Sequence, residues 1–321
     1  MKRRTTLLGA ASLVAIGWPG HQAMAADFPS MPVRIISPYP AGSVDTVIRG
    51  LAERLAVVWK QPVVVEAKPG ANEILDADAV AKAVPDGHTL FIGTESTFAT
   101  NPLIYKLPYD AINGLVPVSE LVGMRMALVV RPGLPVDSLP SFIALMKRDG
   151  AKYSYGSGGA GSPLHLLTES LRQSAGFEMQ HVPYKVLPQA LQDMFGERLD
   201  VIFLSAATAF PMVASGRLKV LAITGSTRVK NVPTFEESGF AAQVDSSFLG
   251  MALPRGAPPA LVARIQADVA KVLRSPEFNT AVLQPQDLIL VASEPAQFEA
   301  RIAARSKSAG ELIRKLNIKA E

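Results

Sequence analysis

Short apolar runs alternate with amphipathic stretches along most of the chain, and the alternation predicts strands and helices in turn. The run Val33 to Pro38 (VRIISP) reads as a buried strand that exits through Tyr39-Pro40-Ala41-Gly42-Ser43-Val44-Asp45. Val44, Val47, Ile48, Leu51, Leu55 and Val58 then fall at helical spacing, with Arg49, Glu53 and Arg54 on another face, so this helix buries one stripe against a sheet. A strand at Val63 to Glu66, a turn at Lys68-Pro69-Gly70, a helix through Asp76 to Ala83 and a strand at Leu90 to Gly93 follow, the last exiting into Thr94-Glu95-Ser96-Thr97.

Met126 to Arg131 (MALVVR) predicts another strand, followed by Pro132-Gly133 and a helix from near Ser138. The plan then restarts. Strands at Lys152 to Tyr155, Gln180 to Pro183, Val201 to Leu204 and Leu218 to Thr224 alternate with helices at Ser162 to Ser174, Pro188 to Phe195 and Ala209 to Ser215. A last strand near Phe248 to Leu253 precedes two helices, one entered at Pro258-Pro259 and one capped by Ser293 with Pro295 just inside it. Two α/β domains result, with no low-complexity linker between them, so the chain is expected to cross between domains twice and its tail to return to the first. Ligands of parallel α/β sheets bind beyond the carboxyl ends of the strands, which directs attention to the polar strand exits.

Composition changes this picture at one end. Lys2, Arg3 and Arg4 precede an apolar run from Leu7 to Trp18 and a small-x-small site at Ala23-Met24-Ala25, the pattern of an export signal cut after Ala25. The run is too short to span a bilayer of about 30 Å. Removing the signal takes away three basic residues and no acids, so the balance of 32 basic and 28 acidic residues falls from +4 to +1. The basic character therefore gives no support to nucleic-acid binding. With no cysteine, thiolate chemistry, disulfides and Cys-based metal sites are excluded. Of the histidines, His88, His165 and His181 remain in the mature chain, none at zincin spacing, so neither a metal nor a cofactor is expected.

The densest chemical signal is Tyr155 to His165 (YGSGGAGSPLH), with glycine at 156, 158, 159 and 161. Ser162 suits an N-cap and Pro163 the first helical turn, so the loop is expected to deliver backbone N–H groups and a helix N-terminus to an anion. Formally it satisfies the dinucleotide fingerprint, yet the next strand ends in His181-Val182-Pro183-Tyr184-Lys185 without the acid that would hold a ribose. A hydrolase reading lacks a nucleophile elbow, since no serine has glycine two residues before and two after it. Noncatalytic capture of an anion remains, with His165 either a contact of that anion or a packing residue.

The whole mature chain resembles the Bug family, the TctC-like periplasmic solute receptors of tripartite tricarboxylate transporters. The resemblance is carried by MPVRIISPYPAGSVD (Met31 to Asp45), QPVVVEAKPGA (Gln61 to Ala71), DADAVAKAVPDGHTLFIGT (Asp76 to Thr94), NPLIYKLPYD (Asn101 to Asp110), YSYGSGGAGSPLHL (Tyr153 to Leu166), HVPYK (His181 to Lys185), SGRLKVLAIT (Ser215 to Thr224) and VPTFEESGF (Val232 to Phe240). It implies a two-domain periplasmic-binding-protein-like α/β fold, each domain a mainly parallel sheet flanked by helices, with crossover strands between residues 26–126 plus 246–321 and residues 127–245. It further implies a monomer that closes on a small carboxylate and hands it to membrane transporter subunits, or, as the alternative, passes a signal to a membrane sensor. The ligand residues it implies are Tyr39, Ala41, Gly42, Ser43 and Asp45 in the first loop, Thr94, Ser96 and Thr97 beside it, and Ser157, Gly158, Gly159, Ser162 and His165 in the second. Asp45 reads equally well as a helix cap.

Three departures from the family pattern bear on specificity. Asn72-Glu73-Ile74-Leu75-Asp76 replaces a glycine-rich stretch, and Ala41 stands for a customary glycine. Leu204, followed by Ser205, replaces an aspartate; both are counted with the ligand site, and the exchange implies a solute without an α-amino group. Glu95 replaces a small residue and is expected to point to solvent; turned into the cleft it would repel a second carboxylate.

Overall fold

The computed structural model describes residues 28–40, 42–68, 70–110, 113–240 and 247–319. The expected export signal therefore lies outside the described residues. The first stretch of chain forms β1 (Val33–Ser37), α1 (Ser43–Trp59), β2 (Val63–Ala67), α2 (Ile74–Ala81), β3 (Thr89–Thr94), a π-helical turn at Ser96–Thr100 that runs into α3 (Asn101–Ile104), and β4 (Leu115–Met124). Next come β5 (Met126–Val130), α4 (Leu139–Asp149), β6 (Ser154–Ser157), α5 (Pro163–Ala175), β7 (Gln180–Pro183), α6 (Leu187–Phe195), β8 (Val201–Ser205), α7 (Ala206–Ala214) and β9 (Lys219–Ile223). The last part forms β10 (Ser247–Pro254), α8 (Pro259–Leu273), α9 (Pro276–Phe278), β11 (Leu288–Leu290) and α10 (Pro295–Leu316).

These strands build two sheets, ordered β11-β4-β10-β3-β1-β2 and β7-β6-β8-β5-β9. The chain leaves the first sheet after β4, turns at Arg125 into the second, and returns with β10. Both sheets are mixed rather than mainly parallel. β1 runs parallel to β2 and β3, but β10 lies antiparallel to β3 and β4; β6 runs parallel to β7 and β8, but β5 lies antiparallel to β8 and β9. The antiparallel strands are those adjoining the two crossings, where a strand enters a sheet from the other half of the molecule instead of through a helical crossover.

Helices cover both faces of each sheet, which is why β5 and most of β8 are continuous apolar runs. In the first half, Val47, Ile48, Leu51 and Leu55 of α1 pack with β1, β3, β10 and α8 in one core. Val58, expected on the same stripe, is exposed, because the helix turns that position outward near its end. Two further cores flank the second sheet, one holding Leu128, Phe142, Tyr155 and Phe203, the other Ala127, Met194, Ile202 and Leu204. The helix α10 is capped by Glu294 rather than Ser293, whose Oγ instead accepts from the Glu120 amide at 2.9 Å. Near its end Ala309 and Ile313 pack with Leu166 of α5 and with Ile104, so α10 reaches across to the second half.

Candidate functional site

Two strand exits meet at one place. On the second sheet, β6 ends at Ser157 and α5 begins at Pro163, with Ser162 the N-cap and its Oγ accepting from the His165 amide at 3.4 Å, as the sequence predicts. The loop between them touches the first half of the molecule: Tyr105 Oη donates to the Ala160 carbonyl at 3.0 Å. Gly161 has φ 72°, and a Cβ there would lie 1.8 Å from Ile104 Cδ1, so both its backbone and its neighbour require glycine. Gly159 also has positive φ, at 103°, but faces open space.

The loop amides expected to await an anion are partly satisfied from within. Gly159 N donates to Ser157 Oγ at 3.1 Å, Ser162 N to the Gly159 carbonyl at 3.2 Å, and Gly161 N to His165 Nδ1 at 2.9 Å. An Nδ1 that accepts belongs to a neutral imidazole with its proton on Nε2. Burial, then His181 and Arg172, push His165 down to about 3, consistent with that state. His181 stacks on His165 with ring centres 4.1 Å apart and has its Nε2 2.6 Å from Ser157 Oγ, while the Tyr155 ring lies 4.9 Å from His181 and 6.2 Å from His165. Tyr155 in turn donates to Glu169, which is paired with Arg172. His181 thus belongs to the site although only the motif around it drew attention in the sequence.

On the first sheet the centre is a residue that was not among the expected ligand contacts. Glu73 is buried, and its carboxylate accepts from Tyr39 Oη at 2.6 Å, Thr94 Oγ1 at 2.5 Å, Thr97 Oγ1 at 2.9 Å and the Thr94 amide at 3.1 Å. Burial pushes its carboxyl up, and the hydroxyls of Thr94, Tyr39 and Thr97 oppose that shift by favouring the charged form. Asn72 and Glu73 both have positive φ, 49° and 70°, an uncommon conformation for residues other than glycine. Asn101 holds the turn: its Nδ2 donates to the Asn72 carbonyl, and its Oδ1 accepts from Asn72 Nδ2, both at 2.7 Å. Three residues on, Asp76 is fully buried, and neither of its carboxylate oxygens has a hydrogen-bond partner. Burial and the Glu73 charge raise it to about 7.

The remaining expected residues are placed as follows. Gly42 is exposed at the N-cap of α1 with φ 102°. Asp45 does not cap the helix; it lies in the first turn and pairs with Arg49 at 2.9 Å. Ala41 and the side chain of Ser43 lie outside the described residues. Ser96 is buried, and its amide donates to Thr94 Oγ1 at 3.3 Å. Glu95 does not point to solvent: it is 1% exposed and forms a two-pronged pair with Arg305 of α10 at 2.9 and 3.0 Å. An unpaired charge could not remain so buried, and the C-terminal helix, remote in sequence, supplies the cation. Leu204 packs in the core behind the second sheet rather than lining the site, and Ser205 caps α7 by accepting from the Thr208 amide at 3.3 Å. The inference about an α-amino group drawn from Leu204 therefore loses its basis. Among the described residues no helix is long and apolar enough to cross a membrane, and no group of three or more His, Cys, Asp or Glu could hold a metal ion.

A model of the tripartite tricarboxylate transporter family receptor matches residues 47–318. The chain belongs to this receptor family. Among its relatives, the UPF0065 protein in the gbd 5' region of Cupriavidus necator is 31% identical over 98% of this chain and 94% of its own, and Protein BugT of Bordetella pertussis (strain Tohama I) is 32% identical over 77% and 78%. The solved structure of the periplasmic binding protein BugD superposes with a TM-score of 0.80 at 27% identity, covering 92% of this chain and all of its own. An R. palustris protein with adipate gives 0.84 at 26% identity over 91% and 99%, and MatC of Rhodopseudomonas palustris with bound malate gives 0.79 at 26% over 89% and 100%. This receptor thus shares the fold of periplasmic solute-binding proteins.

Proposed function

We propose that the protein is an extracytoplasmic receptor that captures a small carboxylate between its two halves and delivers it to a tripartite tricarboxylate transporter. The observation that supports this reading is the glycine loop that leads into the Ser162-capped N-terminus of α5 and seats against Tyr105 of the other half. Adipate and malate, bound by two structural neighbours, support a small carboxylate as the class of ligand. The lobes are residues 26–126 plus 246–321 and residues 127–245, with the chain crossing at Arg125 and returning with β10. A ligand carboxylate is met by the N-terminus of α5, beside Ser157, Ser162 and His165, where the helix dipole favours negative charge. The ligand binds the closed form more tightly and shifts the population toward it, and the closed monomer docks on membrane subunits. The signal is removed after Ala25, which leaves the mature chain in the periplasm, and no catalytic step is involved.

Gly158→Val tests the loop. Gly158 lacks positive φ, and a Cβ there meets only Ser162 at 3.6 Å, so the fold tolerates the change while the added bulk closes the approach to α5. Titration calorimetry against a panel of small carboxylates is expected to show binding by the natural chain and none by the variant at an unchanged melting temperature. Full affinity in the variant would remove this loop from the site. Co-purification of the tagged receptor with membrane transporter subunits tests the handover.

A further inference from the structure

The first-sheet cradle is complete before any ligand arrives. Its donors are the Tyr39, Thr94 and Thr97 hydroxyls and the Thr94 amide, and all of them are directed at the Glu73 carboxylate. The arrangement is built rather than incidental. The turn carrying Glu73 holds two consecutive residues at positive φ and is locked by the reciprocal Asn72–Asn101 pair. On the far side Gly93 makes room, since a Cβ there would come within 2.9 Å of Glu73 Oε2. Glu73 is 5% exposed, so the cradle is shut to solvent.

Charge in the same region opposes a second anion. Asp76, three residues on, is buried with neither carboxylate oxygen paired at hydrogen-bond distance and only the exposed Lys68 as a nearby cation, and Glu95 is matched by Arg305 in a closed two-pronged pair. A free carboxylate entering here would have to expel one already held by four donors. The glycine loop of the second sheet holds no such resident acid; its nearest ionisable neighbours, His165 and His181, are a stacked imidazole pair.

We propose that Glu73 is a specificity-determining residue that stands in for one carboxylate of the ligand, so that this receptor accepts solutes with a single carboxylate and an uncharged remainder and rejects dicarboxylates. Because both oxygens of Glu73 already accept from protein donors, the residue offers little to a ligand ammonium group either. The assignment rests on the reading of the protein as a carboxylate receptor, and its test separates the two.

Calorimetric titration of the wild type, Glu73→Gly and Glu73→Gln uses three pairs that differ only by a terminal carboxylate: butyrate and succinate, hexanoate and adipate, benzoate and terephthalate. In at least one pair the wild type is expected to bind the monocarboxylate about ten-fold or more tighter than its partner. Glycine at 73 adopts the same backbone freely and empties the cradle, so Glu73→Gly is expected to raise dicarboxylate affinity about ten-fold while monocarboxylate affinity moves less than about three-fold. Glu73→Gln keeps the bulk, removes the acid and is expected to give a smaller gain of the same sign. A wild type that binds the dicarboxylate of every pair as tightly as the monocarboxylate overturns the assignment and leaves carboxylate capture standing, as does a preference that neither variant shifts. If no compound binds any of the three proteins, carboxylate capture fails and the assignment fails with it.

Discussion

The strand exit of the first sheet meets its carboxylate with side chains, three hydroxyls and one amide closing on Glu73, whereas the exit of the second is made of glycines, a serine cap and a neutral imidazole. The first is held by hydrogen bonds to a buried carboxyl, each worth about 0.5–1.5 kcal/mol net. The second is shaped by what its backbone can do without side chains. The contrast assigns the two loops different work in the proposed receptor: one is already filled and sets what is refused, the other stays open and binds. Each can be broken separately.

The largest effect is expected at Gly161→Val, because the new side chain meets Ile104 at van der Waals-forbidden distance and must hold φ 72°. Strain of this kind together with overpacking costs about 2–5 kcal/mol, read by denaturant unfolding. Gly159→Ala, at φ 103° in open space, is expected to cost only about 1–2 kcal/mol. Equal losses would show that contact with Ile104, and hence the seating of the loop against the first half, contributes nothing.

On the other side of the comparison, Asp76 tests how much negative charge the first exit tolerates. Its carboxyl is raised from 3.8 to about 7, so between those values the folded protein holds a proton that the unfolded chain has lost. That stabilising proton is fully in place below about pH 4 and is lost as pH rises through 7, an effect of up to about 4 kcal/mol at about 1.36 kcal/mol per unit. Asp76→Asn is therefore expected to raise the melting temperature at pH 8 and to leave it little changed at pH 4. An identical gain at both values would mean that Asp76 is not protonated in the folded state.

Thr97→Val should cost about 1–2 kcal/mol, the loss of one hydroxyl to a buried carboxylate at nearly constant volume. In a Glu73→Gln background the same substitution should cost less, and the coupling from the double-mutant cycle measures the pair directly. No coupling would mean that the Thr97 hydroxyl contributes independently of Glu73.

Much of this architecture was legible in the sequence, for reasons that also explain the gaps. The strands at Gln180–Pro183 and Val201–Ser205, the Ser162 cap and the Pro163 start follow from local periodicity and capping chemistry, which tertiary contacts did not override. The strand β4 escaped because Pro117, Ser119 and Glu120 interrupt its apolar run; register shifts against β10 and hydrogen bonds from Ser119 Oγ and Glu120 N to Ser293 accommodate them. Glu95 and Leu204 were misplaced because their surroundings come from afar. Arg305 lies 210 residues from Glu95, and the face of β8 that carries Leu204 is decided by α6 and α7, not by its own neighbours. The departure at residues 72–76 was visible as a loss of glycine, but that Glu73 would fold back into the cradle depends on two left-handed residues and on Asn101.

The smallest expected effect separates the loops most cleanly, because it is an absence of titration. His165 is 6% exposed, accepts the Gly161 amide on Nδ1 and is held near 3, well below its ordinary 6.5. A base whose folded pKa is lowered makes stability rise with pH between the folded and unfolded values and contributes no slope above the latter. Binding at the second exit should accordingly be flat from pH 7 to 8, and the His165 ring should show no protonation shift in nitrogen-detected NMR between pH 5 and 8. The first exit, by contrast, holds in Asp76 a carboxyl that titrates near pH 7. A His165 midpoint near 6.5 would show that its imidazole is solvated and that the Gly161 amide is free for the ligand, which would make the second loop an ordinary amide nest instead of one whose geometry a neutral histidine maintains.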